Sequence, residues 1–177
     1  AVGNLGHLPI VEELGLEVRG DFGLNVFNSR ALAFLRELGL ASATVSFELR
    51  HQQVRDLAKL LPCEGIVYGR LPLMVMENCI TKNNVGCRHG AGSTLTDRTG
   101  AQFPVQCVYG CRNEIENSLP LFLADKAEWR GCGLTSARLR FTTETADECA
   151  AVLRRYRGEG DYAPEKYTRG LFYRGVE

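Results

Sequence analysis

Between residues 16 and 68 the apolar positions switch repeatedly between a period of two and a period of 3.6, the pattern of strands alternating with helices around a parallel sheet. Residues 16–26 read as a strand. Asn28 or Ser29 then caps a helix with Ala31, Phe34, Leu35 and Leu38 at the i, i+3, i+4, i+7 spacing, and Gly39 stops it. Residues 42–47 form a second short strand. A second helix spans about 50–61, with Val54, Leu57, Ala58 and Leu61 on one face and Pro62 closing it. A third strand begins at 65–68, and 71–76 extends or restarts it. Further on, 93–97 and 101–106 flank the polar turn Arg98-Thr99-Gly100 as a hairpin, and 115–123 alternates loosely. Residues 125–129 make a helical turn and 137–141 a strand. Thr145-Ala146-Asp147-Glu148 is a capping box opening a helix with Ala146, Cys149, Ala150 and Leu153 on one face.

Helix and strand repeats of this length suit a doubly wound sheet or a (β/α)8 barrel, and in both the strand carboxyl ends hold the ligand. The polar residues there are Asn25 and Asn28 after the first strand, Ser46 and Glu48 after the second, and Arg70 after the third. Capping accounts for Asn28 and for Ser46 without a ligand. Asn25, Ser46 and Glu48 would line the mouth and orient a substrate, and Arg70 has the planar fork to hold a carboxylate or phosphate. A salt bridge at a strand end is the alternative for Arg70.

The 177 residues, 45% hydrophobic and 24% charged, are enough for one ordinary domain with a packed core, or for a piece of something larger. Basic and acidic residues balance at 21 each, so no net charge points to nucleic acid or an anionic membrane, although 17 of the 21 cations are Arg. No apolar run approaches the ~18 residues of a membrane span. Ala1 is not a start methionine and the first ten residues lack the features of a secretory leader, so the chain reads as an excised piece.

Seven cysteines, an odd and unevenly clustered set, fit a secreted disulfide framework poorly and a reducing cytoplasm with a metal site better. Four follow the spacing Cys79-x7-Cys87-x19-Cys107-x3-Cys111. Two such pairs joined by a hairpin can converge on one tetrahedral site, and soft thiolates select zinc or a [4Fe–4S] cluster equally well. His89 could replace one thiolate. Cys63, Cys132 and Cys149 read as small core side chains. No G-x-S-x-G or H-E-x-x-H occurs, and His7, His51 and His89 have no catalytic spacing. Near the end, Tyr162, Tyr167, Phe172 and Tyr173 interleave with Arg169 and Arg174. They could stack on bases, or pack down as a docked tail.

Tyr68-Gly69-Arg70-Leu71-Pro72-Leu73-Met74 with Glu77 and Cys79 resembles the U32 peptidases, the collagenase-like protease family. So do Asp21-Phe22 with Asn25-Val26-Phe27-Asn28-Ser29, and Val45-Ser46-Phe47-Glu48-Leu49. Asp97-Arg98-Thr99-Gly100 with Phe103-Pro104, Asn117-Ser118 with Pro120-Leu121, and Tyr167-Thr168-Arg169-Gly170 with Arg174-Gly175-Val176 resemble the long form of that family. The resemblance implies an α/β fold in which the chain is the second half of a TIM-like (β/α) barrel followed by a small Cys-rich α+β region. The parts would be a barrel half over 1–78, a cysteine cluster and hairpin over 79–123, and an α+β tail over 124–177. It also implies an oxygen-sensitive [4Fe–4S] cluster on Cys79, Cys87, Cys107 and Cys111, zinc being the alternative metal. The partner would be the missing amino-terminal barrel half of the same protein. Two activities attach to the family. One is peptide hydrolysis. The other is oxygen-independent hydroxylation of tRNA or rRNA bases or of a quinone precursor, with prephenate as co-substrate in the RNA cases. In either, Glu48 and Arg70 would be the catalytic side chains and Asn25, Asn28 and Ser46 the substrate-binding ones. A zinc-stabilised binding module without catalysis is the third reading.

Overall fold

A computed structural model describes residues 1–87 and 93–176. The chain divides into two compact units: residues 1–68, 122–139 and 169–177 form unit 1, and residues 69–121 and 140–168 form unit 2.

Unit 1 is built on a sheet in the order β1 (Arg19–Gly20), β2 (Ser42–Thr44), β3 (Cys63–Gly69) and β8 (Leu121–Phe122), with β9 (Ser136–Arg140) also pairing with β3. The first three strands are parallel, as their crossover helices require. α1 (Leu8–Glu13) precedes β1. α2 (Ser29–Glu37) starts where Asn28 Oδ1 accepts a hydrogen bond from the Ala31 amide at 2.9 Å. It buries Leu32 and Leu35 and leaves Phe34 and Leu38 exposed, so its buried face is rotated from the spacing-based expectation. α3 (His51–Leu57) buries Val54 and Leu57.

The second half of a TIM-like barrel, expected from the family resemblance, is not what forms. The described residues make two separate sheets, and neither closes. A barrel would need the free edge of β3 to take another parallel strand, but β8 and β9 occupy it. The chain leaves the sheet after Gly69, whose φ of +113° suits only glycine and whose absent Cβ would overlap the Arg140 carbonyl oxygen. The expected first strand is also shortened. After Gly20 the chain enters a 3-10 turn at Phe22–Leu24, capped by Asp21 and ended by Asn25 at φ +46°, a left-handed conformation that asparagine tolerates.

Unit 2 carries an antiparallel sheet in the order β4 (Pro72–Met76), β7 (Arg112–Glu116), β6 (Gln102–Val108) and β5 (Ser93–Thr96). The 93–106 hairpin of the sequence reading is β5 and β6, closed by Asp97, whose Oδ1 accepts from the Thr99 and Ala101 amides. α4 (Ile80–Val85) follows β4, and α5 (Ala146–Arg157) opens on the expected capping box, Thr145 with Glu148.

Strand β7 alternates two kinds of buried surface. Asn113 and Ile115 face one way, while Glu114 and Glu116 are in phase with each other. Glu116 is 1% exposed, and Arg140 stands between the two carboxylates. Its guanidinium donates to both oxygens of Glu116 at 2.8 and 2.9 Å, to Glu114, and to the Arg70 carbonyl at 2.6 Å. Burial pushes the Glu116 carboxyl above its ordinary pKa; Arg140 opposes the shift and the neighbouring Glu114 adds to it.

Replacing Arg140 by Met would strand two buried carboxylates, and urea unfolding is expected to show a loss of about 3–5 kcal/mol. A small loss would mean that water already reaches the cluster. Because the folded-state pKa of Glu116 is raised, its contribution is full at low pH and falls as pH rises through that pKa. Stability curves should therefore move in favour of Glu116→Gln, relative to wild type, between the acid range and neutrality.

Candidate thiolate site

Of the four spaced cysteines, Cys79 and Cys107 are brought together in unit 2. Cys107 lies near the end of β6, in register with Asn113 on β7. Cys79 sits at the amino-terminal cap of α4, where its sulfur accepts from the Lys82 amide at 3.3 Å. Met76 of β4 is the other register partner of Asn113, so β4 delivers the chain to the cap from the neighbouring strand. Asn113 is fully buried. Its Oδ1 accepts from the Ile80 amide at 2.7 Å, and its Nδ2 donates to Cys107 Sγ at 3.5 Å and to the Arg112 carbonyl at 3.2 Å.

This neighbourhood favours the thiolate of Cys79. The Lys82 amide is the largest influence holding its pKa below the ordinary thiol value; burial opposes it, and donors from Asn113, the Thr81 backbone and the Cys107 thiol reinforce it. Two converging sulfurs, one of them predisposed to ionise, can chelate a soft cation.

Cys111 is exposed in the loop joining β6 to β7, beside Tyr109, which has φ +48° and is 86% exposed. Cys87 is exposed just after Gly86, beyond the end of α4. Among the described residues no three His, Cys, Asp or Glu side chains gather as metal ligands. The donor chemistry suits a soft metal, but the arrangement supplies two positions of a four-thiolate site rather than four. His89 lies outside the described residues.

The remaining cysteines have ordinary roles in packing. Cys63 is fully buried, with its Sγ 3.2 Å from the Leu61 carbonyl, and burial pushes its thiol up to about 11. Cys132 is buried and directed at the His51 and Glu128 carbonyls, and burial raises its pKa too. Cys149 is half-buried on α5.

The strand-end candidates are distributed differently. Asn25 and Asn28 are exposed and act as the turn terminator and the helix cap just described. Ser46 is buried, its amide donating to the Val26 carbonyl at 3.0 Å and its Oγ accepting from the Glu48 amide at 3.4 Å. Glu48 is half-buried. Arg70 belongs to unit 2, where its fork is engaged by the Asn117 carbonyl at 2.8 Å, the Ser118 carbonyl and the Thr143 hydroxyl at 3.3 Å. In the tail, Phe172 is buried against the His51 ring, which also stacks on Tyr173, and His51 Nδ1 lies 3.3 Å from the Phe172 carbonyl. Phe172 is therefore packed, whereas Tyr173 keeps an exposed face.

Beyond the Arg140 cluster, the structure brings out Asn113 and Arg138, neither of them singled out by the sequence. Asn113 has a weak signal there, an amide in phase with Ile115 on the apolar side of a strand. Arg138 of β9 has none: it pairs with Asp21 and Glu64 and donates to Thr44 at 3.3 Å, joining residues far apart in the chain.

No family model matches the chain, and no curated protein or solved structure matches it. No helix among the described residues is long and apolar enough to cross a membrane.

Cysteine-specific alkylation followed by peptide mass analysis separates the two classes of thiol. As pH rises, Cys79 is expected to reach half its limiting reactivity below the ordinary thiol range, and Cys63 only near 11. A Cys79 midpoint at or above that of an unfolded thiol would remove the electrostatic case for a site there.

Proposed function

We propose that unit 2 is a thiolate-ligated metal module of a cytoplasmic enzyme related to the U32 family. The observation carrying this reading is the convergence of Cys79 and Cys107 from segments 28 positions apart onto one buried amide. A structural role alone needs no pair of thiols with a lowered pKa at one of them, whereas a soft cation does. Cys111 and Cys87 are the further donors. A [4Fe–4S] cluster is the preferred occupant, as in the family that the sequence resembles, and bound there it would supply redox or Lewis-acid chemistry.

The resemblance leaves peptide hydrolysis and oxygen-independent hydroxylation as candidate reactions. A [4Fe–4S] occupant favours the second, since the redox chemistry that a cluster supplies is not needed for peptide hydrolysis. Its substrate would be an RNA base or a quinone precursor.

Protein purified without air, analysed for iron, zinc and sulfide beside a Cys79→Ser, Cys107→Ser variant, tests the proposal. Roughly four irons with matching sulfide and a broad visible absorption, all lost in the variant, are expected. One colourless zinc per chain would replace the cluster by a structural site. Wild type and variant equally free of metal would overturn the module altogether.

A further inference from the structure

The structure assigns Asn113 a role that rests on the metal-module reading and extends it: we propose that Asn113 is the positioning residue of the thiolate site, fixing Cys79 and Cys107 as one bidentate donor for a thiophilic cation. Its amide spans the two elements that carry the sulfurs. The Oδ1 end holds the first helical amide of α4, Ile80, one residue past Cys79, at 2.7 Å. The Nδ2 end donates to Cys107 Sγ across the β6–β7 register. At 0% exposure the amide is shielded from bulk solvent, so losing either bond would leave a buried polar group to be satisfied. Asparagine serves both ends at every pH: an ionised aspartate keeps the acceptor for Ile80 but does not donate to sulfur, and leucine keeps neither.

The chemical consequence concerns the sulfurs directly. An N–H donor on a thiolate withdraws electron density from it, stabilises the charge and orients the lone pairs, as outer partners do in other metal sites. Removing such a partner typically weakens metal binding ~10–100-fold. A purely structural asparagine would leave the electronic character of the sulfurs unchanged once the protein had folded.

Cobalt(II) is the probe, because its sulfur-to-metal charge-transfer band reports how strongly each thiolate donates. The full chain is titrated with cobalt(II) without air, in wild type and in Asn113→Asp, with far-UV circular dichroism and thermal melting as checks on folding. A folded Asn113→Asp protein that binds cobalt(II) at least tenfold more weakly, with its charge-transfer band moved to longer wavelength, is the expected result. Equal affinity with an unmoved band would overturn the proposal.

If the wild-type chain takes up no cobalt(II), the metal-module reading fails, and phenylarsine oxide decides on Asn113 independently, since one arsenic closes a ring only on two sulfurs held together. One equivalent should shield Cys79 and Cys107 jointly from alkylation in wild type and fail to do so in Asn113→Asp; equal shielding in the two proteins, or none in wild type, would refute the role. Should Asn113→Asp not fold, the side-chain amide resonance of Asn113 in labelled wild-type protein is followed as the arsenical is added. A shifted resonance supports contact with the sulfurs, and an unmoved one contradicts it.

Discussion

Two carboxylates on alternate residues of one strand cannot be buried together unless a cation stands between them, and in unit 2 that cation is Arg140. The arrangement fixes more than charge. Sliding β7 by one residue against β4 and β6 would turn Glu114 and Glu116 to the opposite side of the sheet and leave the guanidinium facing Asn113 and Ile115. The ion cluster therefore selects one register, and that register sets Asn113 opposite Cys107. From there the amide reaches the start of α4 and, through it, Cys79. Stability on one side of β7 and thiol chemistry on the other are consequences of the same alternation.

Unit 1 solves a similar problem with less backbone. β1 and β2 are two and three residues long, too short for their ladders alone to define a sheet. Side chains supply the rest: Arg138 reaches Glu64 on β3, Thr44 on β2 and Asp21 just after β1, and Thr44 Oγ1, with one proton to donate, lies 3.1 Å from the Gly20 carbonyl and 2.9 Å from Glu64. The returning chain is tied down separately, by Arg169 gripping both oxygens of Asp125, a pairing that holds that carboxyl below its usual pKa. Partly exposed charge pairs of this kind contribute modestly to stability. Their effect here is to define which strands are neighbours.

Local signals in the sequence translated well. Asn28, Thr145 and Glu148 cap the helices assigned to them, and the Asp97 turn closes the hairpin where its composition placed it. Those features depend on residues within about four positions of one another. The barrel half failed for the opposite reason: whether β3 receives another parallel strand or the pair β8 and β9 is decided by segments 50 to 75 residues away, and periodicity carries no such information. The exposure of Phe34 and Leu38 on α2 has the same origin, since spacing identifies an apolar stripe but not what covers it. For the site, cysteine spacing drew attention to four residues, and the fold distinguishes the pair that meets from the two that are exposed. Asn113 emerges only once the strand register is known.

The proposed binding of a soft cation by Cys79 and Cys107 is tested most directly by X-ray absorption at the metal edge of protein purified without air. A first shell of sulfur alone, at ~2.3 Å, is the predicted result. A shell of nitrogen or oxygen at shorter distance, or the absence of any bound metal, would contradict it.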